Sequence, residues 1–305
     1  MTIIGSLTAQ SPEGTEIRFH PEGSGYETSA FTAPSGGVYR FTLFGAGGYS
    51  PVAESEPCSA SPGGAGGKTV GYLLMKAGET VYIGVGGCDC MAFVSKTNAA
   101  TIDAIGRENM LYIAGAGGEG ALNWGAESYD LRTTPGGVGG GTTGASSNGA
   151  HTSNHGIGGG LEGATSGGMQ SIKDYSYENW DDMSFYTGYG GDGYYAGTKG
   201  AQGSGGGGGS GYCYSGSVVT LRGETFTSTS EQGTGSAGGE WGYAMVALVK
   251  RDVLPIYFDG TPLTEIFFNG VKLTGLFYNG VRLFIRRLAK GVKRKCGISI
   301  LTPQT

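Results

Sequence analysis

The stretch "GAQGSGGGGGSGYC" (200–213) holds almost nothing that can fill a core, carry charge or bind a metal. It is the densest part of a chain with 64 glycines in 305 residues, about three times ordinary usage. A glycine in a helix or strand costs about 0.5–1 kcal/mol relative to alanine. Over the whole chain that is on the order of 30–60 kcal/mol, several times the net stability of a domain. The glycines keep no sustained every-third-residue register and there are only 10 prolines, which excludes a collagen triple helix. Gly/Ser-rich linkers are random coils and disordered tracts are poor in aromatics. Here 18 Tyr, 12 Phe and 3 Trp are spread among the glycines. The chain is therefore expected to fold, with a backbone arrangement that offsets the entropy of its glycine.

One such arrangement is an extended threefold helix of the polyproline-II type, which rises about 3.1 Å per residue and has no internal hydrogen bonds. Its N–H and C=O groups point sideways, so glycine-lined helices can approach closely and bond to one another. Blocks at 115–120, 136–141, 156–160, 203–211 and 233–239 are the candidates. Gly203–Gly211 would make a central rod of roughly 28 Å.

Around these blocks the sequence reads as strands. "AFTAPSGGVYRFTLFGAGG" alternates through Val38, Arg40, Thr42 and Phe44, as half-buried strands do. "KTVGYLLMKAGETVYIGVGG" (68–87) reads as a hairpin about Ala77-Gly78, "NMLYIAGAGG" (109–118) as another strand and "WGYAMVALVKR" (241–251) as the last. Each apolar run ends in glycines. Residues 1–30, polar and turn-rich, read as an N-terminal attachment arm or a first short strand, and 31–252 as the main domain. The segment 253–305 differs, with Asp259-Gly260, Asn269-Gly270 and Asn279-Gly280 spaced by ten between aromatic and apolar runs. Asx-Gly between such runs is a strong hairpin signal, because a type I′ turn needs positive φ at both residues. The expected fold class is all-β: a β-sandwich packed with a bundle of polyglycine-II helices, plus a small C-terminal β-meander of hairpin repeats ending in a basic tail.

Several functions find no support. The formal net charge of −5 gives no global basic field for nucleic acid, although "RRLAKGVKRK" (286–295) concentrates cations at one end of an acidic chain. Five cysteines (Cys58, Cys88, Cys90, Cys213, Cys296) are too few for a disulfide scaffold, and "CDC" has the wrong spacing for zinc or redox motifs. His151 and His155 lie in a Gly/Ser/Asn-rich loop; no metal and no cofactor is expected. No signal peptide, N-glycosylation acceptor or run of 18 apolar residues is present, so synthesis and folding in the cytoplasm without a membrane span are expected. "GAGGEG" (115–120) matches a dinucleotide fingerprint, but no amphipathic helix follows it, and hydrolase signatures are missing. The expectation is a protein that is not an enzyme.

The insertion "KDYSYENWDDMSFYTGYGGDGYYAG" (173–197) concentrates rings and carboxylates. Amphipathic rings among polar loop residues are what paratopes use, and rings with carboxylates also suit a glycan. The binding candidates are Tyr175, Tyr177, Trp180, Asp181, Asp182, Phe185, Tyr186 and Tyr189. The alternative is that rings of this insertion, Tyr194 and Tyr195 among them, cap the glycine rods as a small satellite core.

The order "FGAGG", "GGAGGK", "GETVYIGVGG", "LYIAGAGG", "GSGGGGGSGYC", "GGEWGYAMVALVKR" resembles the glycine-rich module family over about 30–252. That family includes the extracellular glycine-rich region of anaplastic lymphoma and leukocyte receptor kinases and glycine-rich fibre-tip adhesins of tailed phages. The resemblance implies the sandwich with polyglycine-II helices, and in the phage adhesins the inter-helix loops recognise the host receptor. On this chain those loops would be 121–135, 142–155, 161–187 and 212–232. The receptor ectodomains are secreted and cysteine-rich, unlike this chain. The tandem "FFNGVKLTGLFYNGVRL" tail instead looks like C-terminal repeats of phage structural proteins. The implied protein is a bacteriophage virion part, a tail or head fibre or receptor-binding adhesin. Its partners would be a host-surface receptor (glycan or protein) and other virion proteins, held through the N-terminal arm or the C-terminal repeats, with a homotrimer among the arrangements open to it. A bacterial surface glycine-rich protein and a glycan-active enzyme on the same scaffold are the alternatives.

Overall fold

The computed structural model describes residues 1–52, 59–98, 102–123, 133–147, 156–160, 185–186, 188–200, 204–214 and 218–252. Within 253–305 it describes six short paired strands. The chain divides into two units, Met1–Lys250 and Arg251–Thr305.

Nearly all regular structure is β. One sheet has six strands in the order β1-β2-β16-β4-β6-β15. They are β1 (Thr2–Ile4), β2 (Glu16–His20), β4 (Gly37–Phe44), β6 (Lys68–Met75), β15 (Thr229–Glu231) and β16 (Tyr243–Arg251). A second, antiparallel sheet has the order β12-β9-β8-β7-β3. It comprises β3 (Glu27–Thr32), β7 (Thr80–Val85), β8 (Ala92–Ser95), β9 (Met110–Ala114) and β12 (Tyr212–Cys213). The two sheets share one core. Phe19, Tyr39, Phe41, Leu43 and Val246 come from the first, and Phe31, Ile83, Val94 and Tyr112 from the second. Glycine inside two strands makes room for rings: a Cβ on Gly71 would collide with Tyr112, and one on Gly84 with Phe93. Tyr112 then reaches across to donate to the Tyr72 carbonyl at 2.6 Å.

Two expectations change here. Residues 1–30 are not an arm: β1 and β2 extend the first sheet, β3 edges the second, and Ile17 and Phe19 are core residues. Their apolar positions alternate, Ile17 and Phe19 inward against Glu16, Arg18 and His20 outward, and this short amphipathic run is hidden among turn residues. Nor are β6 and β7 a hairpin. β6 pairs with β4 through eight residues, Gly37↔Met75 to Phe44↔Lys68, while β7 pairs with β3 and β8. The turn at Lys76–Glu79, with Gly78 at φ +82°, carries the chain from one sheet to the other. Ala33 holds it there, accepting from Gly78 and donating to Glu79.

The hairpin of β13 (Val218–Leu221) and β14 (Glu224–Thr227) packs Val219 and Leu221 on Val38 and Tyr72 of the first sheet. A second cluster, Met91, Phe93, Ile105, Met110 and Ile113, fills the far side of the second sheet beneath the short helix α1 (Ile102–Ile105).

The glycine segments continue directly from strands: 45–48 from β4, 115–120 from β9, 61–67 into β6 and 204–211 into β12. Residues 204–211 are buried throughout. The N–H groups of Gly206 and Gly209 donate to Glu119 and Ala116, those of Gly207 and Ser210 to Thr198 and Tyr195, and those of Gly208 and Gly211 to Ala145 and Gly141. On the acceptor side Ser204, Gly207 and Ser210 take Gly188, Gly191 and Tyr194. Gly205 and Gly208 take Gly156 and Gly159, and Gly206 and Gly209 take Gly137 and Gly140. Partners thus recur every third residue, and the segment is bonded to 115–120, 194–200, 141–147, 188–194, 156–160 and 136–140. A strand can bond to only two neighbours. At Gly205 to Gly209 a Cβ would stand closer than 3.0 Å to a neighbouring backbone, a distance real Cβ atoms do not reach. Segment 115–120 repeats the pattern, with Ala116 and Glu119 donating to Asp192 and Tyr189, and Gly117 and Gly120 to Ala46 and Tyr49.

In the second unit three hairpins follow one another: β17 (Tyr257–Phe258) with β18 (Thr261–Pro262), β19 (Phe267–Phe268) with β20 (Val271–Lys272), and β21 (Leu276–Tyr278) with β22 (Val281–Leu283). The pairings Phe258↔Thr261, Phe268↔Val271 and Tyr278↔Val281 leave each Asx-Gly pair as the two-residue connection, as its chemistry requires. Among the described residues each hairpin pairs within itself.

Candidate functional site

Hydrogen bonds between segments define two ends of the glycine layer. Gly45, Gly67, Gly115 and Ser210 lie beside the strands they continue. The far end is a ring of contacts made by Tyr49, Ser61, Gly120, Gly136, Ser147, Gly156, Gly188, Gly200 and Gly205. Gly120 donates to Tyr49, Ser61 to Ala121, Gly136 to Pro62, Gly156 to Gly205 and Gly200 to Gly188. Side chains complete it where residues other than glycine enter: the Ser147 hydroxyl donates to the Gly205 carbonyl at 2.5 Å, and Thr134 accepts from the Gly205 N–H at 3.0 Å. Ser61 and Thr133 share a hydrogen bond at 2.7 Å.

This far end anchors most of the predicted loops. Of the predicted loops 121–135, 142–155 and 161–187, the segments 124–132 and 148–155 are bounded by residues of the end layer and 161–184 re-enters the described chain there; 53–58 and 201–203, not among the predicted loops, are bounded there too. A small sheet ties three of them together: β5 (Ser59–Ala60), β10 (Leu122–Asn123) and β11 (Phe185–Tyr186), in the order β11-β10-β5. Leu122 lies opposite both Tyr186 and Ala60. Tyr175, Tyr177, Trp180, Asp181 and Asp182 lie outside the described residues. Phe185 and Tyr186 are placed on β11, two residues from the layer. Tyr189 sits inside the layer's edge, its N–H donating to Glu119 Oε2 at 3.1 Å and its ring beneath the Lys199 ammonium at 5.0 Å.

The remainder of the aromatic insertion lies elsewhere. Asp192 is buried, and Tyr194 and Tyr195 form the turn at the sheet end. Tyr194 stacks on Tyr212 at 4.2 Å, packs on the second core cluster and lies, with Tyr195, under the Arg107 guanidinium. Segment 188–200 is therefore part of the glycine lattice, which its many rings concealed. The loop 212–232 also belongs to the sheet end, since β12 pairs with β9 and β15 with β6.

Between the ends, three carboxyl groups meet. Asp89, held at φ +65°, accepts from the Tyr49 N–H at 2.9 Å and receives the Asp192 N–H on its own carbonyl. Tyr26 donates to Asp192 Oδ2 at 2.5 Å and accepts from the Met91 N–H. Burial, then the neighbouring Glu119 carboxylate, pushes the Asp89 carboxyl up to about 9, so at neutral pH it carries its proton and shares it with Glu119. Burial likewise raises the Tyr26 phenol. The cluster cross-links the layer: Asp89 ties the loop after β7 to Tyr49, and Glu119 ties segment 115–120 to Tyr189. No group of three or more His, Cys, Asp or Glu with metal-binding geometry occurs among the described residues. No described helix is long and apolar enough to cross a membrane. No protein-family model matches the chain, and neither does any curated protein.

Proposed function

We propose that this chain is a non-enzymatic bacteriophage virion protein, a tail or head fibre adhesin, that attaches to the host cell surface through the loops leaving the far end of the glycine layer. The observation that carries the reading is that end layer. Tyr49, Ser61, Gly120, Gly136, Ser147, Gly156, Gly188 and Gly200 are bonded into one rim, from which loops of different sequence depart. Binding residues on loops over a rigid scaffold are how many recognition proteins divide display from support. In this reading the glycine segments are polyglycine-II helices and the two sheets a β-sandwich; the three-residue recurrence of hydrogen-bond partners supports the first, and the shared core the second. Tyr175, Tyr177, Trp180, Asp181, Asp182, Phe185, Tyr186 and Tyr189 supply rings and carboxylates to a glycan or protein receptor, and the hairpin repeats of 253–305 join the protein to the particle.

The test is binding of the purified protein to a panel of Gram-positive and gut bacteria, with a Gly/Ser graft over 173–187. The expected outcome is saturable binding to some strains, lost on grafting while the melting temperature holds. Binding unchanged by the graft would remove the site assignment. Immunogold labelling of phage particles released by lysis of a producing strain tests the virion assignment, and unlabelled particles would refute it.

A further inference from the structure

The outward face of the six-stranded sheet carries a different kind of surface. Outward residues follow the strand alternation: Arg18 and His20 on β2, Tyr243 and Met245 on β16, Arg40, Thr42 and Phe44 on β4, and Lys68, Val70 and Tyr72 on β6. His20, Tyr243 and Phe44 stack in a row across three strands, at 5.2 Å and 13°, then 4.3 Å and 12°. Beside the row lies a trough of about 350 Å³ lined by Arg40, Thr42, Phe44, Lys68, Val70 and Tyr72, with Met245 completing it. Its size is at the small end of the range of ligand pockets. One wall is fixed from outside by the β13–β14 hairpin, whose Phe226 packs on Tyr72 at 5.5 Å.

The lining has a one-sided chemistry. It contains a guanidinium, an ammonium and two hydroxyls over a floor of aromatic and aliphatic carbon, and no carboxylate, in a chain of net charge −5. Arg40 is steadied by Glu16 at 3.5 Å, which also holds Arg18 at 3.4 Å. Lys68 lies across from Glu231 in the ladder and makes no ion pair among the described residues. A ligand complementary to this trough has an apolar face to lie on Phe44, Val70 and Met245 and a negative group to meet Arg40 and Lys68. We infer that the trough is a second ligand site, separate from the far-end loops, for an acidic sugar, the anion being a carboxylate or a phosphate on the ring.

The test is titration of the full chain with glucuronate and glucose 6-phosphate, against glucose and inorganic phosphate, followed by amide and ring chemical shifts. The expected result is saturable shifts confined to β4, β6 and Met245. At least one acidic sugar should bind about tenfold tighter than either control, and the tighter of the two identifies the source polymer as carboxylated or phosphorylated. K68Q and R40Q should each weaken binding about tenfold at unchanged melting temperature, K68R should retain it, and K96Q and the 173–187 graft should leave it alone. Affinity for phosphate equal to that for the sugar phosphate, with no glucuronate binding, would mean an adventitious anion only. That result, an absence of saturable shifts, or unaltered affinity in both K68Q and R40Q would overturn the proposal.

Discussion

At the residue scale the glycines are of two kinds, which composition cannot separate. Gly207 is in the lattice, where a Cβ would meet the Ile157 backbone, whereas a Cβ on Gly25 meets nothing within 4 Å and Gly25 has no positive φ. Gly207→Ala is therefore expected to cost about 3 kcal/mol or more, as overpacking against a backbone that cannot move. Gly25→Ala should fall within about 0.5 kcal/mol of the parent. Urea denaturation of the two variants measures the contrast, and equal costs would refute the lattice. Asp89 gives a second prediction. Its carboxyl titrates higher in the folded chain, at about 9, than in the unfolded one, so its stabilising contribution is complete below the ordinary carboxylate range and is lost as pH rises toward 9. Glu119, Asp192, Tyr26 and Cys90 face the same cluster. Melting temperature should fall between pH 5 and pH 8, and Asp89→Asn, which keeps a donor to Glu119 without a titrating proton, should flatten part of that slope. In a chain of this size about 1 kcal/mol moves the melting temperature by about 2–4 °C.

At the element scale, what could be read in advance followed local pattern. The alternation Val38, Arg40, Thr42, Phe44 marks the outward side of β4, and the Asx-Gly pairs fall between paired strands. The order of strand followed by glycines was legible for the same reason. What depended on long-range choice was not. Nothing in "LLMKAGETVYI" says that the turn changes sheets, because the preference of β6 for β4 lies in a register more than twenty residues away. "YGGDGYYAG" reads as an aromatic surface, yet its backbone supplies two neighbours of the central segment, since the rings can point out of the lattice while the glycines point in. The loop proposed to bind was legible only as composition, and Tyr175, Tyr177 and Trp180 lie outside the described residues. The central segment yields a third prediction. Amides of Gly206 to Gly211 each have a backbone acceptor, so hydrogen exchange there should be as slow as in β4 and β9. Exchange at coil rates would return the stretch to the linker class.

At the scale of the whole molecule, the two units divide near residue 251. A chain ending at Asp252 is expected to keep the melting temperature of the larger unit within about 2 °C, since the described residues of its cores all belong to Met1–Lys250. A loss of cooperative unfolding would show that the hairpin repeats are part of one folding unit. The three-residue recurrence in the glycine layer also has a mechanical side. A strand pulled from a sheet edge across the strand axes breaks its bonds one after another. A segment bonded around its whole circumference has no edge to open, and tension on a loop at the far end runs along its axis and loads those bonds in shear, all at once. Among the directions available to an outside force, the layer would resist best the one in which a tethered surface would drag on its loops.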